Sequence, residues 1–161
     1  MITFSGRGAE FAVGEKSFKS RIAYAAAPVV ADQRAENIPG SPAALDWEST
    51  LRFRRHLWEY GFGVAEAMDT AQRGAGLDYA ATRELIRRSA ADARAAGGRI
   101  VAGVATDQLP PGPATIDDIR KAYAEQLADV QEAGAVPVLM CSRHLAAAAR
   151  GADDYRRIYG E

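Results

Sequence analysis

An α/β fold is what this sequence predicts: about the first four β/α units of a parallel (β/α)8 TIM barrel, preceded by a small β-hairpin. Three observations predict it. Strand-then-helix units begin near Ile22, Phe62, Ile100 and Val136, so the unit recurs about every 36–40 residues. That pace belongs to β/α barrels and doubly wound sheets. No Gly-rich phosphate loop follows the first strand, which removes the main support for a dinucleotide-type sheet. The strands are also small and apolar, with many alanines, as a barrel interior tolerates. A complete barrel needs about 250 residues, and 161 leave room for about half. The expectation is one partial domain over 1–161, with 1–20 as hairpin and lead-in and 21–161 as the four units.

Each element has a local reason. Ile2–Phe4 and Phe11–Val13 are β-prone pieces around a turn at Gly6 and Gly8, placed as a lid or plug across one barrel end. Ile22–Ala27 reads as a strand covered on both faces, because it lacks polar alternation. Asp46 offers an N-cap for the first helix, with Trp47, Leu51, Leu57 and Trp58 as its apolar positions and Gly61 as its stop. Phe62–Met68 is the second strand. Asp78 caps the second helix, which turns Leu85, Ile86, Ala90 and Ala93 inward and ends at Gly97-Gly98. Ile100–Val104 is the third strand. Thr115 with Asp118 forms a capping-box pattern for a helix with Ile119, Tyr123, Leu127 and Val130 inside. Gly134 ends it, and Val136–Met140 is the fourth strand.

Composition excludes several classes. The net charge of -1 gives no electrostatic case for nucleic acid or an anionic membrane. Arg52, Arg54 and Arg55, like Arg87 and Arg88, have acidic neighbours and read as solvated helix faces. A single cysteine, Cys141, forms no intrachain disulfide and fits a cytoplasmic protein. The N-terminus lacks a signal-peptide pattern, and no apolar stretch approaches the ~20 residues of a membrane span.

In parallel α/β folds the strand C-termini carry the chemistry. Four clusters fall there: Pro28 and Asp32; Glu66 to Gly74; Thr106-Asp107-Gln108; and Cys141-Ser142-Arg143-His144. Glu66 interrupts an apolar strand. A carboxylate there is either buried in an ion pair with Arg73 or Arg143, or a site acid, base or ligand. Glu66 and Asp69 are the catalytic candidates, expected at the strand ends near Asp107 or Arg143. Thr70 suits hydrogen bonding to a polar ligand, and Arg73, Asp107 and Arg143 complete the substrate-binding set, with Arg73 suited to a carboxylate or phosphate. Asp107 and Gln108 read equally as a turn. His144 and His56 read as surface histidines and Cys141 as a small apolar filler. No cofactor is indicated. An oxygen-rich set of Glu66, Asp69, Asp107 and His144 leaves open a metal-dependent enzyme acting on a sugar or hydroxy acid.

Several runs resemble the dihydrodipicolinate synthase and N-acetylneuraminate lyase superfamily. Asp46-Trp47-Glu48-Ser49-Thr50-Leu51 and His56-Leu57-Trp58-Glu59-Tyr60-Gly61-Phe62-Gly63 resemble its first helix and second strand. Ile100–Val104 resembles its third strand, and Glu132-Ala133-Gly134-Ala135 with Val136–Met140 its fourth. The chain is most similar to a sparsely characterised dihydrodipicolinate synthase-like branch, notably over Arg21–Asp32 and Glu66–Gly76. The resemblance covers the N-terminal half of a family barrel. It implies a lyase or aldolase that forms a lysine imine with a keto acid, acting on a small-molecule substrate. The departures are specific. Where better-known members carry Gly-Thr-Thr-Gly-Glu to bind the substrate carboxylate, this chain reads Met68-Asp69-Thr70-Ala71-Gln72, and only Thr70 matches. Asp69 would repel a carboxylate unless Arg73 compensates. The family tyrosine after strand four is not evident at Cys141-Ser142-Arg143. The imine lysine on strand six and a proton-relay tyrosine on strand five fall outside four units, and Lys16, Lys19 and Lys121 do not replace the lysine.

Two further readings follow. The chain is either a fragment without activity of its own or a half-barrel subunit completed by itself or a second chain. Strands one and four are expected as open edges, leaving Ile22, Val138 and Met140 short of cover and favouring a homo-oligomer through those edges.

Overall fold

The computed structural model describes residues 21–160 apart from 39, 40 and 75; the N-terminal hairpin expected within residues 1–20 lies outside the described residues. Four strands, β1 (Tyr24–Ala26), β2 (Gly63–Glu66), β3 (Ile100–Val104) and β4 (Val136–Leu139), alternate with helices α1 (Trp47–Glu59), α2 (Tyr79–Ala96) and α3 (Ile116–Ala133). Two short helices, α4 (Arg143–Ala148) and α5 (Ala152–Tyr159), follow and lie against α3. The strands form one parallel sheet in the order β1-β2-β3-β4. β1 and β4 are its edges, as expected.

The helix ends follow the sequence signals. Asp46, Asp78 and Thr115 each accept a backbone N–H from the first turn, and Thr115 with Asp118 makes the reciprocal capping box. Gly97 and Gly134 close α2 and α3 with positive φ. The loop between α2 and β3 carries a second constraint at Gly98. A Cβ there would sit 2.7 Å from the Trp58 ring, whose Nε1 donates to the Arg99 carbonyl at 3.0 Å.

Successive strand residues point to opposite faces. Val64, Glu66, Ile100, Ala102 and Val104 face the helices and are buried with Trp58, Ile86, Ala90, Ile119 and Val130. The other set, including Tyr24, Ala65, Val101, Val136 and Val138, is only partly covered by the described residues. The first strand is therefore not covered on both faces: Tyr24 is 42% exposed and Ile22 54%. Three residues of β1 pair with β2, its only neighbour among the described residues. At the other edge Val136 is 61% exposed.

The inner line of α1 also departs from expectation. Its buried residues are Thr50, Arg54 and Trp58, spaced by four, while Trp47, Leu51 and Leu57 are only half-buried. Arg54, expected on a solvated face, is fully buried. Its Nε and Nη2 donate to the two carboxylate oxygens of Glu66, each at 2.8 Å, and Nη1 donates to the Pro28 and Thr50 carbonyls. Glu66 also accepts the Ala67 amide at 2.9 Å. A buried carboxylate is tolerated only when its charge and lone pairs are met, and here both are. Arg52 and Arg87 do lie on the solvated surface. Removing one member of a buried pair costs about 3–5 kcal/mol, whereas replacing both with apolar groups is far milder. Arg54→Met should therefore lose that much in denaturant unfolding, and Arg54→Met with Glu66→Leu should recover most of it. A single variant within about 1 kcal/mol of the parent would refute this role.

Candidate functional site

A cleft of about 410 Å³ opens at the C-terminal ends of β2, β3 and β4. Asp69 and Arg73 reach it from the segment after β2, Thr106 and Asp107 from the end of β3, and Met140 to His144 from the end of β4. Leu109, Pro111 and Gly112 of the Pro-rich loop form one side.

The floor is built around Arg73. A guanidinium has five N–H donors, and here each has an acceptor. Nε donates to Asp107 at 2.9 Å, Nη2 to Asp107 at 2.7 Å and to Gln126, and Nη1 to the carbonyls of Gly103 at 2.6 Å and Ala67 at 3.3 Å. Its side chain is 3% exposed. Gln126 is oriented unambiguously: its Oε1 accepts from Arg73 and the Ala105 amide, and its Nε2 donates to Asp107 and Gln108. Gly103 is required here, because a Cβ would lie 2.4 Å from Met140 Sδ and 3.1 Å from Arg73 Nη1. The segment leading to Arg73 is bent to suit, with Ala67 at φ 52° and Gln72 at φ 58°, a region non-glycine residues seldom occupy.

Burial pushes the Asp107 carboxyl up, but the hydrogen bonds and charge of Arg73, with Gln126, outweigh it and hold the group below its ordinary value. Oδ1 receives all of these donors, and the buried Oδ2 has no hydrogen-bond partner. Arg143 is different. Its Nη2 lies over Gly74, 3.3 Å from where a Cβ would be, and among the described residues its guanidinium has no ion-pair partner. The Asp69 side chain is likewise exposed and unpaired among them.

The family model described as "Protein of unknown function (DUF993)" matches residues 4–161. The chain belongs to this family. No curated protein matches it.

For this DUF993 member, the cleft brings together Asp69, Arg73, Asp107 and Arg143 and leaves out Glu66 and Thr70. Glu66 points into the helix layer, on Arg54 rather than on Arg73 or Arg143. Thr70 sits in the 3-10 turn Asp69–Ala71 and is exposed outside the cleft. Arg73 cannot grip a substrate, because its N–H groups are filled by the protein. Asp107 and Gln108 do form a turn, and both also enter the Arg73–Gln126 network.

Two cleft residues, Thr106 and Ser142, stood in the strand-end clusters without a role of their own. Thr106 and Ser142 are buried and share a 2.5 Å hydrogen bond. His144 is no ordinary surface histidine: its Nδ1 is 3.1 Å from Thr106 Oγ1 and its Nε2 is 3.2 Å from the Pro110 carbonyl. Cys141 is exposed at the cleft rather than packed as a filler. The polar run Ser142-Arg143-His144 between an apolar strand and an alanine-rich helix was the available signal. Lys121 lies on α3, paired with Asp117 at 3.0 Å. Among the described residues, no three His, Cys, Asp or Glu side chains converge in a way that could hold a metal ion.

The depressed Asp107 value has a definite sign. Its stabilisation is complete above the ordinary carboxylate range near pH 4 and is lost as pH falls through the folded value. Asp107→Asn should cost about 2 kcal/mol at pH 7, less than a fully buried pair because the side chain keeps 17% exposure. It should also flatten the decline in stability below about pH 4. Denaturant unfolding across pH 2–7 checks both, and an unchanged acid limb would contradict the assignment.

Proposed function

We propose that this chain supplies the first four β/α units of a parallel barrel of the dihydrodipicolinate synthase-like kind, and that its cleft binds a small organic anion. The observation carrying the proposal is Arg143 at the strand C-terminal ends, without an ion-pair partner among the described residues and beside a floor whose own charges are neutralised. The sheet supports the barrel: its strands run in chain order and α1, α2 and α3 pack on one face, where a doubly wound sheet reverses order and is covered on both. Arg143 takes over the compensating role expected of Arg73 and offsets the repulsion of Asp69 for a carboxylate or phosphate.

In the parent chemistry a lysine amine attacks a keto-acid carbonyl, and the imine serves as an electron sink for lyase or aldolase turnover. Lys121 lies on α3 in an ion pair and does not line the cleft. We therefore read this chain as binding an anion without forming the imine itself. A metal-dependent reaction through Glu66 and Asp69 draws no support from the geometry, since Glu66 is committed to Arg54. Calorimetry should detect pyruvate or phosphate binding that Arg143→Gln weakens about tenfold, while borohydride with pyruvate yields no lysine adduct. Equal affinity in Arg143→Gln, or a stoichiometric adduct, overturns the proposal.

The open edges favour one accompanying reading, completion of the sheet by self-association or by a second chain. Tyr24 and Val136, with Leu139 at 51% exposure, are the apolar residues such pairing would cover. Sedimentation of the purified chain should show oligomers or aggregates. A monodisperse monomer with a sharp cooperative melt would instead mark the four-stranded unit as self-sufficient.

A further inference from the structure

Beside Arg143 the cleft wall carries a chain of polar groups whose hydrogens follow by elimination once the His144 ring is taken as neutral. The Pro110 carbonyl only accepts, so its 3.2 Å contact with His144 requires a hydrogen on Nε2. The neutral ring carries one N–H, which leaves Nδ1 as an acceptor. Thr106 Oγ1, 3.1 Å away, therefore donates to Nδ1. With its hydrogen spent, Thr106 accepts from the Ser142 hydroxyl at 2.5 Å. Ser142 Oγ also accepts the Leu145 amide at 3.1 Å. Its hydrogen and one lone pair are committed, and one lone pair remains. Tyr123 gives its hydroxyl hydrogen to the Met140 carbonyl at 2.7 Å, so toward Ser142 it can only accept and does not fill that lone pair. The wall thus presents to the cleft an oxygen able to accept a hydrogen bond and unable to donate one.

We propose that the ligand of this cleft carries a hydroxyl beside its anionic group, the anion on Arg143 and the hydroxyl donating to Ser142 Oγ. The proposal rests on the anion-binding reading above. Hydroxy acids and monophosphorylated diols share the required chemistry.

Two measurements on the whole chain test it. The first is long-range proton–nitrogen NMR of the imidazoles. The chain has two histidines, and a His56→Gln variant assigns His144. His144 should show a protonated Nε2 and a bare Nδ1, and Thr106→Val should lose this fixed tautomer. A protonated Nδ1 or a mixture in the parent overturns the hydroxyl chain whether or not any anion binds. The second is calorimetry with lactate against propionate, and 2-hydroxypropyl phosphate against propyl phosphate, so that each pair differs by one hydroxyl. The hydroxylated member of each pair should bind about tenfold more tightly, the scale of one hydrogen bond. The pair that shows the preference identifies carboxylate or phosphate as the anion. Ser142→Ala should remove the preference between the members of each pair. Because Ser142 also caps α4, Thr106→Val serves as the second variant and should reduce the preference too. Equal binding within both pairs overturns the hydroxyl assignment and leaves the anion reading standing. Binding of none of the four ligands ends both.

Discussion

The buried guanidinium of Arg73 is the constraint around which the rest of the molecule is arranged. It joins the end of β2, the backbone of β3 and the side chain of Gln126 on α3, three elements that are distant in sequence. Its planar fork dictates where each acceptor must stand, as a flexible ammonium would not. A missing acceptor would leave a buried cation under-satisfied, so the acceptors are fixed together rather than singly. Gly103 follows from this, since any side chain there would enter the space of Arg73 and Met140. So does the bent backbone at Ala67, whose carbonyl is turned toward Nη1. The cleft is the space left above that floor.

Two arginines that look alike in the sequence therefore do opposite work. Arg73 is consumed in building the floor, and Arg143 stands over Gly74 with no ion-pair partner among the described residues. The same division separates the carboxylates. Asp107 neutralises the floor and Glu66 fastens α1 beneath the sheet, while Asp69 remains at the cleft surface. Charged residues near strand ends are not equivalent candidates for chemistry. Those whose lone pairs and hydrogens are already met by the protein have little left to offer a ligand.

What could be read from the sequence was local. Asp46, Asp78 and Thr115 announce helix starts through side chains that reach only three residues ahead, and Gly97 and Gly134 announce helix ends through their own backbone freedom. Strand identity followed from apolar runs between those marks, and the placement of the site at strand ends followed from parallel topology. Pairing was not legible. Arg54 meets Glu66 across 12 positions and Arg73 meets Gln126 across 53, and nothing local distinguishes either arginine from its solvated neighbours. The best clue was indirect: a lone glycine inside the apolar strand Ile100–Val104 marks a close approach by something bulky. The Thr106–Ser142–His144 chain was hidden for the same reason, since it forms only when the ends of β3 and β4 come side by side.

The two kinds of charge in this protein also differ in what dissolved salt can do to them. Ions screen exposed charges over a Debye length of about 8 Å at physiological ionic strength, and reach buried pairs poorly. Arg54 with Glu66 and Arg73 with Asp107 lie largely out of that reach. Arg143 and Asp69 stand within it. Ionic strength thus acts as a selective dial, weakening attraction at the mouth of the cleft while leaving the fastenings of the sheet almost untouched.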